Sequence, residues 1–200
     1  KAVVLVDPLF EAGPLKLHQL IEQGADGLRI NLHLEPLSNW NNRHFNDLLN
    51  QCVSFNLPIC LQLTPDYFPL LHELCKEFSV KFVLDHLGRP DPGCGLEDEH
   101  FNELLSFSEY PNVFVKLSGM NYYSKLSAPY TDTWPLIQAV KASFGADRCL
   151  WGSDYPFVNE HWTYADNLDL LRQSLQFSDR DLTWILDKTA RSLWWRADLD

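Results

Sequence analysis

The sequence lacks any apolar run near the ~20 residues that a membrane-spanning helix needs. It also lacks a run of Lys and Arg: 16 basic residues stand against 27 acidic ones, for a formal charge of -11. Nucleic acids and anionic membrane surfaces need a positive footprint, so neither is expected as a partner. An anionic small-molecule substrate stays open, because one buried Arg can hold a carboxylate whatever the total charge. No G-x-G-x-x-G and no P-loop glycine pattern occurs, which argues against the nucleotide-binding open α/β sheets. The five cysteines are odd in number, form no C-x-x-C pair and follow no secretory leader. Reduced thiols packed as small hydrophobes, in a cytoplasmic protein, are the expectation. Nine Gly and twelve Pro exclude a collagen-like or low-complexity chain, and seven Trp, seven Tyr and twelve Phe exclude disorder.

What is present is a regular alternation. Short apolar runs fall at residues 2–6, 27–32, 58–63, 81–84, 112–117 and 148–151. Between them lie amphipathic, helix-length stretches at 14–23, 44–55, 67–78, 97–107 and 133–144, with two more at 161–175 and 179–195. Strand–helix alternation of this kind predicts parallel strands joined by helical crossovers, in a barrel or a doubly wound sheet. In a (β/α) barrel the chemistry sits at the strand C-termini, so the residues at the C-terminal end of each run are the candidates for function.

The fourth run delivers Asp85-His86 and the sixth delivers Asp154, each followed by Gly or Pro turn residues that fix a rim position. Carboxylate and imidazole are the usual pieces of general-base or metal-assisted hydrolysis. The plainer alternatives are a turn-capping Asp and a satisfied core His. Arg29 lies inside GLRINL and needs a partner if buried: a substrate carboxylate or an internal acid. Lys116, inside VFVKLSG, poses the same question, with an internal salt bridge expected. Gln62 points into the lumen if Leu61 and Leu63 face the helices. His33, His161, Tyr122, Tyr123 and Tyr155 fall in rim loops, where they either shape a pocket or pack. His18, His44, His72 and His100 have no ligand spacing and are expected at the surface.

GADGLRINL at 24–32, VLDHLGRP at 83–90, NVFVKLSG at 112–119 and LWGSDYP at 150–156 resemble, in order, the signature segments of the amidohydrolase-related TIM-barrel hydrolases. The most similar subgroup is that of the pyrone dicarboxylate and sugar-lactone hydrolases. The resemblance implies an α/β fold of the (β/α)8 type with Asp154 activating water and His86 contacting the substrate carbonyl. In metal-using members His86 and Asp154 bind zinc or manganese; other members work without metal. It implies Arg29 as a holder of a substrate carboxylate; by their places in the lumen and the rim, Gln62 and Tyr122 are further candidates to line the substrate site. The family's first-strand His-x-His has no counterpart here, and run 2–6 aligns with the family's third strand. The expectation is therefore a single domain over 1–200 with about six of eight strands, truncated at its N-terminus. The function expected of the full-length parent is hydrolysis of a small carboxylated or sugar lactone. The alternatives are a metal-dependent non-oxidative decarboxylase and an inactive truncated barrel. Sheet edges left without neighbours also make a homo-oligomer an expectation.

Overall fold

The computed structural model describes residues 1–160 and 162–195. Six strands form one parallel sheet in simple sequence order: β1 Val3–Leu5, β2 Gly27–Asn31, β3 Ile59–Gln62, β4 Phe82–Leu84, β5 Val113–Leu117 and β6 Cys149–Trp151. The crossovers carry α1 Gly13–Glu22, α2 Arg43–Ser54, α3 Phe68–Glu77, α4 Glu99–Ser106 and α5 Trp134–Phe144. Local chemistry sets several of their starts. Asn42 and Asp98 accept the backbone N–H three residues on, satisfying an orphan donor at the N-termini of α2 and α4. Pro supplies an early position in α1, α3 and α5, where a missing N–H costs nothing. The two final helices are interrupted. Tyr164–Asp169 (α6) runs into a π turn at Leu170–Ser174, and Asp179–Thr183 (α7) reaches Thr189–Trp194 (α8) through a second π turn at Trp184–Lys188. All five cysteines are unpaired, four of them buried. No helix among the described residues is long and apolar enough to cross a membrane.

Side chains alternate across the sheet with period two. Leu28, Ile30, Ile59, Leu61, Phe82, Leu84, Val113, Val115 and Cys149 face the helices and build the main core with Leu48, Leu71, Phe101, Leu104 and Val140. The opposite face is apolar at its lower end, where Cys60, Val83, Phe114 and Leu150 pack against Leu193 and Trp194 of α8. Above that layer the same face turns polar, with Arg29, Gln62 and Lys116. The register explains their meeting. One residue beyond the pairs Leu61↔Leu84 and Leu84↔Val115, the residues Gln62, Asp85 and Lys116 fall in one row.

Candidate active site

Asp85 is 1% exposed, directly after β4. A carboxylate this deep requires charge compensation. Arg29 Nη1 lies 2.9 Å from its Oδ2, and Lys116 Nζ lies 2.7 Å from its Oδ1. Arg29 also donates from Nε to Asn31 at 3.0 Å and from Nη2 to Gln62. Each of its three nitrogens thus has an acceptor within the protein, the internal-partner alternative for this residue. Lys116 additionally meets Cys60 Sγ at 3.3 Å. Burial works against its ammonium, but the Cys60 sulfur and the Asp85 carboxylate outweigh it and hold the Lys116 pKa above the ordinary lysine value. Burial keeps the Cys60 thiol up as well.

One residue further, the backbone turns abruptly. His86, Leu87 and Arg89 have φ of 54°, 53° and 57°, and Asp154, after β6, has φ 55°. Four of the seven left-handed non-glycine residues among those described therefore stand in two rim loops, at a cost of roughly 1–3 kcal/mol each. Strain concentrated at strand C-termini aims side chains rather than stabilising the fold. His86 is 5% exposed, and its Nδ1 lies 3.1 Å from Ser118 Oγ. With the Ser118 hydroxyl donating, Nε2 carries the ring proton and faces Asp154 Oδ1 across 3.9 Å. That gap exceeds a hydrogen bond and accommodates an intervening oxygen. Asp154 Oδ2 is buried without a hydrogen-bond partner. Burial lowers the His86 pKa, opposed by Asp85 and Asp154, so the neutral imidazole dominates at neutral pH. The Tyr122 ring meets that of His86 edge-on, with centroids 5.2 Å apart. Burial and the adjacent Asp154 carboxylate push the Tyr122 hydroxyl up to about 12, so it remains a proton donor. Gly119 makes the close approach of β5 to His86 feasible: its φ is 66°, and a Cβ there would lie 2.6 Å from His86 Cγ.

His86, Asp154, Arg29, Gln62 and Tyr122 thus stand at the C-terminal end of the sheet, in two groups: Arg29 meets Gln62 and Asp85, and His86, the next residue, meets Asp154 and Tyr122. Asp85, a candidate for hydrolytic chemistry or for turn capping by sequence, instead serves as the buried counter-charge of Arg29 and Lys116; Ser118 is not legible as a site residue except as a polar residue continuing the β5 alternation after Lys116. His33 reaches the rim, with Nδ1 3.3 Å from the Gln62 carbonyl oxygen. Tyr123 is buried, whereas Tyr155 is exposed. His161 lies outside the described residues. His72 departs from the surface expectation: it stacks on Phe107 with centroids 4.2 Å apart and its Nδ1 lies 3.1 Å from the Tyr110 hydroxyl, because the segment that follows α4 packs against α3 there. A cavity of about 330 Å³ opens beside β1 and β2, lined by Arg29 and Asn31 but also by Asp7 and Glu35.

His86 and Asp154 supply two facing ligand atoms. A catalytic zinc takes three protein ligands, and no group of three His, Cys, Asp or Glu side chains suited to a metal occurs among the described residues. The set is therefore incomplete for zinc or manganese among the described residues.

The chain resembles known proteins over most of its length. It is 26% identical over 172 residues to a 4-sulfomuconolactone hydrolase of Hydrogenophaga intermedia, covering 86% of this chain and 53% of that protein. The chain spans about half the length of this curated relative. A protein from Pseudomonas putida assigned as a 2-pyrone-4,6-dicarboxylic acid hydrolase superposes with a TM-score of 0.81 at 27% identity, over 96% of this chain and 70% of that one. An amidohydrolase from Burkholderia multivorans with bound zinc shares the fold, with a TM-score of 0.81 at 18% identity over 96% and 72% of the two chains. The parallel sheet in sequence order thus fits the TIM-barrel type of these neighbours, six strands being present among the described residues. The amidohydrolase family model matches residues 1–196, and with His86 and Asp154 opposed at the strand ends the chain belongs to that family.

Proposed function

We propose that the full-length natural protein hydrolyses a small lactone. The observation that carries this is the opposed pair itself: His86 Nε2 and Asp154 Oδ1 are 3.9 Å apart at two strand C-termini, with Asp154 Oδ2 free of any hydrogen bond. Water held between them attacks the ring carbonyl carbon while Asp154 accepts its proton as general base. His86, fixed at Nδ1 by Ser118, donates from Nε2 to the carbonyl oxygen and stabilises the charge that develops there. When the ring C–O bond breaks, the proton on Asp154 passes to the departing alkoxide. Tyr122, edge-on to His86, keeps its hydroxyl protonated beside the Asp154 carboxylate. The Asp85–Arg29–Lys116 cluster forms the rigid polar floor beneath.

The named activities of the relatives support lactones as the substrate class; a divalent metal at His86 and Asp154 would need a further ligand beyond those the described residues supply. The unpaired thiols support a cytoplasmic location. The test is a pH-stat assay of the full-length protein on a panel of small lactones, with chelator and with added zinc or manganese. Asp154→Asn should cut turnover at least ~100-fold, the usual scale for a general base, while thermal unfolding stays within a few degrees. Near-normal turnover by that variant removes Asp154 from the mechanism.

A further inference from the structure

The loop after β2 is braced before it reaches α2. The Tyr67 hydroxyl donates to the Glu35 carbonyl at 2.6 Å, Asn39 Nδ2 donates to Glu35 Oε2 at 2.9 Å, and Asn42 Nδ2 donates to the Asn39 carbonyl at 2.6 Å. These bonds hold the 3-10 turn Leu37–Trp40 against the helix layer. Trp40 is 3% exposed there and meets Phe45 edge-on, with centroids 5.1 Å apart. Its indole Nε1 is buried without a hydrogen-bond acceptor. A buried donor left unmatched is costly, and an incoming acceptor removes that cost. Trp40 walls a groove of about 340 Å³ between α2 and α3, whose apolar sides include Phe45, Leu70 and Leu74. Glu73 and Glu77, one turn apart on α3, also line it and are exposed. Neither has an ion-pair partner among the described residues.

We infer that this groove binds a small organic amine that has an apolar body and a hydrogen-bond acceptor at its far end. Each feature of the groove selects one part of such a ligand. The apolar sides take the body, whose burial supplies the driving force. The Trp40 N–H is a donor only, so it takes an acceptor atom. The two carboxylates take the ammonium: they stand at i and i+4 of one helix and repel each other until a cation lies between them. The same pair turns anions away, and a neutral apolar molecule leaves their repulsion in place. The groove is lined by α2, α3 and the turn before α2, apart from His86 and Asp154 at the rim. The amine therefore does not occupy the place of the reacting pair's substrate. Trp40 also lines the cavity beside Arg29 and Asn31, so one side chain separates the two spaces. The inference stands on this geometry and does not depend on the lactone-hydrolase reading.

The probe is p-methoxyphenethylamine, whose ring, ether oxygen and ammonium answer the three features. Two controls of similar shape each remove one of them. In p-ethylphenethylamine the ether oxygen is gone, and in p-methoxyphenethyl alcohol the charge is gone. All three are titrated calorimetrically at low ionic strength into the full-length protein, its Glu73→Gln/Glu77→Gln variant and Trp40→Phe. Loss of the charge-assisted contacts predicts binding of the amine probe about 10-fold weaker in the double variant, with the alcohol unaffected. The parent should prefer the ether amine over the ethyl amine by about 5-fold, and Trp40→Phe should erase that preference. No binding of p-methoxyphenethylamine to the parent overturns the inference. So does an affinity that the double variant leaves unchanged, or an ether preference that survives in Trp40→Phe. Where Trp40→Phe fails to fold, the Trp40 indole N–H resonance of the parent decides: a shift on titration supports the site, and an unmoved resonance at saturation overturns it. Lactone turnover enters none of these results, so they stand whether or not the rim site hydrolyses lactones.

Discussion

Replacing Gly119 by Ala tests the link from one backbone torsion to catalysis. Gly119 sits at φ 66°, where an L-residue costs roughly 1–2 kcal/mol. The added Cβ would also lie 2.6 Å from His86 Cγ. Carbon atoms prefer about 3.5–4.0 Å, so the imidazole must retreat by roughly 1 Å. It has little room to do so, being 5% exposed and fixed in a left-handed turn. Overpacking of this kind adds about 1–3 kcal/mol. A total near 3 kcal/mol lowers Tm by about 6–12 °C in a domain of this size. A 1 Å displacement of His86 from Ser118 and Asp154 should cost on the order of 100-fold in kcat. Gly95→Ala is the control: its φ is 74°, yet nothing stands within 4 Å of the added Cβ, so it meets only the torsional cost. The assay is calorimetric unfolding of both variants, with lactone turnover of the full-length protein. If Gly119→Ala and Gly95→Ala lose the same Tm, and Gly119→Ala turns over normally, the contact with His86 does not position it.

Two further outcomes concern the charged groups. Asp85→Asn leaves Arg29 and Lys116 facing each other without their shared carboxylate, and removing one member of such a buried cluster should destabilise by about 3–5 kcal/mol; a denaturant midpoint equal to the parent's would show that the cluster is solvent-screened. At the surface, the Lys141 ammonium, 2.7 Å from Asp181, holds that carboxyl below its ordinary pKa. A depressed carboxylate contributes stability above its unfolded pKa and loses it as pH falls through the folded one. The Tm difference between parent and Asp181→Asn should therefore be present at pH 7 and shrink below about pH 4; a difference that persists undiminished in acid would mean that Asp181 acts through its shape or its Ser178 bond instead.

The alternation of apolar runs and amphipathic stretches determined all six strands, their parallel direction and the positions of α1 to α5, because burial on both faces of a parallel sheet demands continuous apolar runs and 3.6-residue periodicity marks the crossovers; it left barrel and doubly wound order open. It also placed His86 and Asp154 on the rim, since a polar residue between an apolar run and a turn has nowhere else to go. The π turns within the last two helices were invisible to it: their sequence periodicity differs from an α-helix by less than composition can signal. What Arg29 and Lys116 do was decided by the sheet. In the chain each is a lone cation in an apolar run, separated by 56 and 31 residues from Asp85, and only the register across β2, β3, β4 and β5 brings both to one buried carboxylate.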